Sequence, residues 1–552
     1  LGYARSHFRS YNFIRRTIAA LIAGLSVFSA AAERPSQDEY MKWLNQQAQD
    51  LQQYKDERDA EFTKFLKAQW KEMAVYRGLK RDKKPKPISI PVAPPEPVIV
   101  AKPEPVKKVP LKPAPVTKAK PAPGPTGPKS AKPVKQAGPV KQPAKLAPKA
   151  VPESRPKPKA PVVALRPQPK PVPKAGPAIR PPVNPRGQGV TVALLGYNLS
   201  LHVDSRFGRS RLSAPNKDAI SKFWGELSRA DYEPLVKELD HYRRNLGLND
   251  WAYAMLVNET AKKIYPRIVN EQRLFNWFIM IKSGFRARVG YSGQQVYLML
   301  PARQKIYRTL YFTYGGTRFY LVDFEGHKQK APRLYTYDAK YPGANRLVDM
   351  RMNSFPRSNR HDQEKVFRFK YGARSYSVPV RYDDSAVKFL RYYPQTDFSI
   401  YFSAEVNRGT GNALLENLRP LVKGKTETEA VNVLLRFVQT AFAYQTDNQQ
   451  FGVEKYLFPE ETLYYPYSDC EDRSFLFAWL VRNLLGLEVI GLEFPGHVAT
   501  AVRFNGATRG DAVMFHGKKY TVADPTYINA RAGMRMPQYR NTNPKVVSIP
   551  SV

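Results

Sequence analysis

Residues 83–187 hold 31 of the chain's 49 prolines. Proline fixes φ and removes a backbone donor, so a run of recurring Lys-Pro, Ala-Pro and Val-Pro can enter neither a helix interior nor a central strand. The stretch is expected to be a disordered linker that favours extended polyproline II. It divides the 552 residues into an N-terminal piece and a C-terminal part long enough for more than one domain. It also carries 23 Lys/Arg against 3 Asp/Glu, about half of the formal net charge of +41. These basic residues alternate with Pro and Ala rather than with stacking aromatics, and no nucleic-acid motif accompanies them, so nucleic acid is not an expected partner. An anionic cell-envelope surface is the expected contact for this charge.

Before the linker, Arg9, Arg15 and Arg16 precede an apolar run over 17–32 that ends in Ser29-Ala-Ala-Ala32. A basic start, a short apolar stretch and small residues read as a secretory signal peptide over 1–32. The run is short for a membrane span, which needs about 20 residues, but an uncleaved anchor stays open. The expected location is outside the cytoplasm, in the periplasm or cell envelope. Residues 36–79 are predicted to form one long amphipathic helix. Trp43, Leu44, Leu51, Phe62, Leu66, Trp70, Met73 and Tyr76 fall near helical spacing, and no Gly or Pro intervenes before Gly78. Such a helix either docks on its own chain or mediates self-association in the manner of a coiled coil.

After the linker the pattern is α+β. Residues 189–330 mix helices and strands, 331–405 read as a small β-rich domain, and 406–545 place helices first and strands last. Aromatic and β-branched runs predict strands over 333–337, 366–371, 376–382 and 398–402. The chemistry concentrates in the last region, around the only cysteine. In an exported protein an unpaired thiol is either inert, paired to another chain, or kept for chemistry. Ser468-Asp-Cys-Glu471 fits a capping box with Ser468 as N-cap, which puts Cys470 in the first turn of a helix. There the helix dipole and free N–H groups favour the thiolate. His497 opens a predicted strand, and 518–524 form a second strand ending at Asp524. Side by side, these strands bring His497 to the cysteine and Asp524 to the other imidazole nitrogen, the order of nucleophile, base and orienter. The Cys470 N–H is one candidate oxyanion donor, and Tyr464, Tyr465 or Gln450 could supply another. The histidines are isolated and there is no second cysteine, so neither a metal nor a cofactor is expected.

Asp469-Cys470-Glu471-Asp472, Gly486-Leu487, Gly496-His497 and Ala523-Asp524-Pro525-Thr526 stand in the order and spacing of a known family. Over about 409–530 the chain resembles the transglutaminase-like superfamily, in the manner of a bacterial exported member. One departure is Val498-Ala499, where the family often has Trp after the histidine. The resemblance implies a papain-like fold and a Cys-His-Asp triad acting on amides. The products are those of a cysteine protease or amidase if water is the acceptor, and of a transglutaminase if an amine is. The substrates it implies are envelope proteins or peptides, including the peptide stems of peptidoglycan. The competing expectation is a non-enzymatic envelope scaffold or binding protein built from the same kind of domain.

An echo of this region lies upstream. Residues 274–285 align without gaps to 476–487 at an offset of 202, and 316–323 to 517–524 at 201. Val236 and Tyr242 meet Val438 and Tyr444 at 202. Ile268 stands opposite Cys470 and Gln295 opposite His497, while Asp323 matches Asp524. The expectation is a duplicated unit whose first copy, within 189–330, is a degenerate transglutaminase-like domain.

Overall fold

The computed structural model describes residues 37–68, 70–77, 86–87, 89–94, 187–326, 331 and 333–549, all within one of the chain's two compact units. The signal stretch 1–32 and most of the linker lie outside the described residues. Among the described residues no helix is long and apolar enough to cross a membrane. The expected periplasmic or envelope location, with its option of an uncleaved N-terminal anchor, is corrected to that extent: the described residues supply no membrane-spanning helix to anchor it.

Helix α1 (Gln37–Ala68) is followed by strand β1 (Trp70–Ala74), so the helix predicted to reach residue 79 stops eleven residues short. The apolar residues beyond Ala68 serve a sheet instead. β1 pairs antiparallel with β8 (Arg333–Tyr337), Trp70 opposite Tyr337. The end of α1 docks on its own chain: Phe62 and Leu66 are buried, and Phe62 packs edge-on against Trp224, Tyr337 and Tyr341. Met41, Leu44 and Leu51, nearer its start, are exposed.

The rest of this compact part repeats one order of elements, in a first unit over 188–337 and a second unit over 362–547. A hairpin of β2 (Gln188–Leu194) and β3 (Tyr197–Val203) leads to α2 (Lys217–Ser228), α3 (Glu233–Leu246), α4 (Asp250–Ile264) and α5 (Val269–Lys282). Then come β4 (Arg288–Ser292), β5 (Gln295–Pro301), β6 (Tyr311–Tyr314), β7 (Thr317–Leu321) and β8, in the sheet order β1-β8-β4-β5-β7-β6. A second hairpin of β9 (Asp362–Tyr371) and β10 (Arg374–Asp383) leads to the short helices α6 (Asp384–Leu390) and α7 (Phe398–Ser403). The helices α8 (Arg408–Val422) and α9 (Glu427–Ala441) follow. After an insertion containing β11 (Ala443–Tyr444), α10 (Asp447–Phe451), α11 (Pro459–Tyr464) and β12 (Tyr467–Ser468) comes α12 (Cys470–Leu485). The last sheet takes β13 (Val489–Phe494), β14 (His497–Val502), β15 (Ala512–Phe515), β16 (Lys518–Ala523) and β17 (Lys545–Val547) in the order β15-β16-β14-β13-β17. Read from the other edge this is β17-β13-β14-β16-β15, the same arrangement as β8-β4-β5-β7-β6, and antiparallel throughout in both.

Helix packing repeats as well. α3 lies on β3 and α8 on β10, α4 on β2 and α9 on β9, and α4 against α5 as α9 against α12. Three expectations change accordingly. There is no separate β domain over 331–405: β8 completes the first sheet, and β9–β10 open the second unit. Residues 398–402 form α7 rather than a strand, because Phe398, Tyr401 and Phe402 turn their rings onto Phe475 of α12. The ungapped match of Val236 and Tyr242 to Val438 and Tyr444 fails, since α3 corresponds to α8. The offset breaks because 442–469 join α9 to α12 where 265–268 join α4 to α5.

Candidate functional site

Cys470 is the first residue of α12, with Asp469 as N-cap and the Asp469 N–H donating to Asp472 Oδ2 at 3.2 Å. The cap therefore sits one residue later than the predicted Ser468. Ser474 Oγ donates to Val498 O at 3.1 Å, tying the start of α12 to β14. Phe494-Pro495-Gly496-His497 is a two-residue turn between β13 and β14, and Gly496 takes φ +77°, a left-handed conformation natural to glycine. It delivers His497 at the head of β14, buried.

Asp524 follows β16, the neighbour of β14. His497 Nε2 lies 2.8 Å from Asp524 Oδ2. The other carboxylate oxygen, Oδ1, accepts from the backbone N–H of Thr526 at 2.9 Å and of Tyr527 at 3.2 Å. Gln439 of α9, buried, donates Nε2 to the carbonyls of Asp524, Tyr527 and Ala530 and so clamps the whole turn. The Tyr539 ring stacks on the imidazole at 5.3 Å with an interplanar angle of 9°.

The thiol is buried. Burial first, then the Glu471 and Asp469 charges, raise its pKa well above the ordinary cysteine range; Lys86 and the Val498 backbone N–H pull the other way. Cys470 Sγ donates to Glu471 Oε2 at 3.2 Å. The expected lowering by the helix dipole is thus outweighed, because the thiol is buried and the Glu471 and Asp469 carboxylates share its surroundings.

Three features escape the sequence reading. The first is an acidic pocket next to Cys470: oxygens of Asp447, Asp469 and Glu471 lie within 4.8 Å of one another. Such a grouping can hold a cation, which qualifies the expectation of no metal; here an ammonium is among them. The second is Lys86, from the segment predicted to be pure linker. Its Nζ is 3.2 Å from Asp447 Oδ2, 2.8 Å from Asp469 Oδ2 and 2.6 Å from Glu454 Oε1, and it also bonds Glu471 Oε1. The third is Tyr444, whose hydroxyl donates to Pro87 O at 2.8 Å. Its pKa is raised by burial and then by the Cys470 and Asp469 charges, and its strand β11 sets it opposite Ser468, two residues before the cysteine. Of the expected oxyanion donors, Tyr464 packs against Tyr382 and Tyr465 against Phe451. Both polar atoms of the Gln450 side chain are buried without a hydrogen-bond partner.

In the first unit, Ile268 is the N-cap of α5, Gln295 opens β5 with its Oε1 accepting from the Tyr297 hydroxyl at 2.7 Å, and Asp323 lies 3.7 Å from Arg273. Thiol and imidazole are replaced there, while the carboxylate keeps its place after the strand. Comparison with family models, with curated proteins and with solved structures finds no match for this chain.

Proposed function

We propose that the second unit is a cysteine-dependent amide hydrolase or acyltransferase acting on peptide substrates. The observation that carries this reading is the buried His497–Asp524 pair at 2.8 Å, with His497 at the head of β14, a strand that packs against the helix beginning with Cys470. Asp524 occupies Nε2, which leaves Nδ1 of the imidazole for the thiol proton. Cys470 attacks the amide carbonyl as His497 takes that proton. The imidazolium returns the proton to the leaving amine, and water or a second amine releases the acyl group from sulfur. The fold reading goes with it: both units are transglutaminase-like, and the first, with Ile268 and Gln295 at the key positions, is catalytically degenerate.

The test compares wild type with Cys470→Ala on a fluorogenic peptide-amide library, alongside iodoacetamide labelling of the native protein. Hydrolysis or amine exchange by wild type alone, with labelling confined to Cys470, is expected. Equal, background turnover by both proteins would sink the proposal. A second reading, a non-enzymatic binding protein, draws on the burial of the thiol and the rise of its pKa. It requires that native Cys470 resist alkylation while the unfolded chain labels normally.

A further inference from the structure

We infer that the acidic pocket beside Cys470 is a substrate subsite for a primary ammonium group, the side chain of a lysine or other diamino-acid residue, and that Lys86 fills it in cis, with Pro87 and residues 89–94 bound alongside, as a pseudosubstrate. The inference rests on the reading of Cys470 as an acyl-transfer nucleophile. It begins with the path of the segment. Lys86 enters the pocket on the Cys470 side, where Glu471 bonds both the ammonium and the thiol. Tyr444, paired with Ser468 at the approach to α12, donates to the carbonyl of the following residue, Pro87. The chain then crosses to the Asp524 side. There Val92 pairs in parallel with Ile528, Ala93 N–H donates to Ile528 O at 2.7 Å, and Ile528 N–H donates to Pro91 O at 3.3 Å. Asn529 Nδ2 donates to Ala93 O at 3.3 Å, and Ala93 is buried with Tyr527, Ala530 and Met536. Main-chain pairing along the backbone with one side chain in a pocket is how an extended peptide is bound.

The pocket is more than a single ion pair needs. Four carboxylates converge on one ammonium, and the side chains of Asp469 and Glu471 are fully buried. Asp469 Oδ1 has no hydrogen-bond partner although buried, the mark of a site with capacity for a further donor. Burying this much like charge is costly without a cation. The cost falls only on the unit with the thiol, because Asp447, Glu454 and Asp469 belong to the insertion 442–469, which 265–268 replace in the first unit. A pocket present only where the cysteine and histidine are present belongs with the chemistry. Within it the ammonium stays protonated, so it is read as a charge and does not attack; the subsite selects a substrate residue rather than an acyl acceptor.

The experiment uses the full chain with Lys86→Met, and Lys86→Gln as the second variant in case the first does not fold. Nα-acetyl-lysine-N-methylamide is expected to raise the melting temperature of the variant in a saturable way, and the norleucine analogue is not. Wild type, with its own lysine in place, is expected not to respond. Adding Glu454→Gln to the variant should weaken the response. A folded variant indifferent to the lysine amide, or responding equally to norleucine, overturns the inference. A response to calcium chloride in place of the lysine amide overturns it too, and makes the pocket a divalent-cation site. Peptide amides that differ only in lysine against norleucine, offered to the Lys86 variant, separate this idea from the proposed activity. Cleavage favouring lysine by about tenfold or more is expected. Equal cleavage of both removes the subsite and leaves the cysteine chemistry standing. Lysine-amide binding without cleavage of either peptide removes the cysteine chemistry and leaves the subsite.

Discussion

Asp524 holds its place through three contacts that do not involve one another: the amides of Thr526 and Tyr527 on Oδ1, and His497 on Oδ2. Replacing it with asparagine keeps an acceptor for the two amides but points an NH₂ group at Nε2, which forces the proton onto the nitrogen that accepts from the thiol in the proposed reaction. Asp524→Asn should therefore lower kcat/KM on the order of 10³–10⁴-fold with the melting temperature near that of wild type, as steady-state kinetics and thermal unfolding will show. The places of Cys470, His497 and Asp524 in the fold were legible in the sequence because a helix start, a Gly-turn and a strand end each leave a local mark. Lys86 was not, since one lysine among many in a proline-rich run carries no local mark, and only its contacts single it out. A second lysine makes the same point. Lys282, at the end of α5, is buried beside Asp59 of α1 and Tyr341. Burial outweighs the Asp59 charge and pulls its pKa down to about 8. The folded state thus disfavours the proton that the unfolded chain keeps up to the ordinary lysine value. The penalty is present below pH 8 and relieved between 8 and about 10.5. Denaturant midpoints of wild type, relative to Lys282→Met, should rise across that window, by on the order of 3 kcal/mol at most.

At the scale of elements, tertiary packing overrides local preference in two places. The pattern of apolar residues that suggested helix as far as residue 79 was sound only to Ala68, because the open edge of β8 offers Trp70–Ala74 five paired residues. In 398–402, aromatic composition suggested a strand, yet one helical turn brings its rings together on α12. Both show why single segments mislead: the partner that decides the conformation is distant in sequence, Tyr337 for Trp70 and Phe475 for Phe398. Two substitutions probe this packing. Phe62→Ala, in a cage of Trp224, Tyr337 and Tyr341, should cost about 3–5 kcal/mol in equilibrium unfolding and loosen α1 before the rest, seen as faster amide exchange there. Gly491 lies in β13 against α7, where an added Cβ would overlap the Phe402 ring. Gly491→Ala should cost about 1–3 kcal/mol by overpacking, and trimming Phe402 to leucine should restore part of it.

Across the whole molecule, the repeat was legible where its two halves have equal lengths, from α5 to β7 and from α12 to β16. It was lost upstream, where 442–469 break the register. The insertion that hid the repeated order of elements also supplies Asp447, Glu454 and Asp469 of the acidic pocket, so the obscuring feature and the distinguishing one are the same. The N-terminal segments have a further consequence. α1, β1 and residues 91–93 pack on or pair with elements that follow residue 187, and Phe62, Leu66 and Ala93 are core residues. A polypeptide severed anywhere between residues 95 and 186 should therefore remain a single particle, two fragments reconstituted without a covalent link. Limited proteolysis followed by gel filtration should return both pieces in one peak, and they should part only in denaturant. A chain begun at residue 187, by contrast, would leave β8 as a bare sheet edge and a hole where Phe62 sat, and should aggregate until the missing N-terminal fragment is added back.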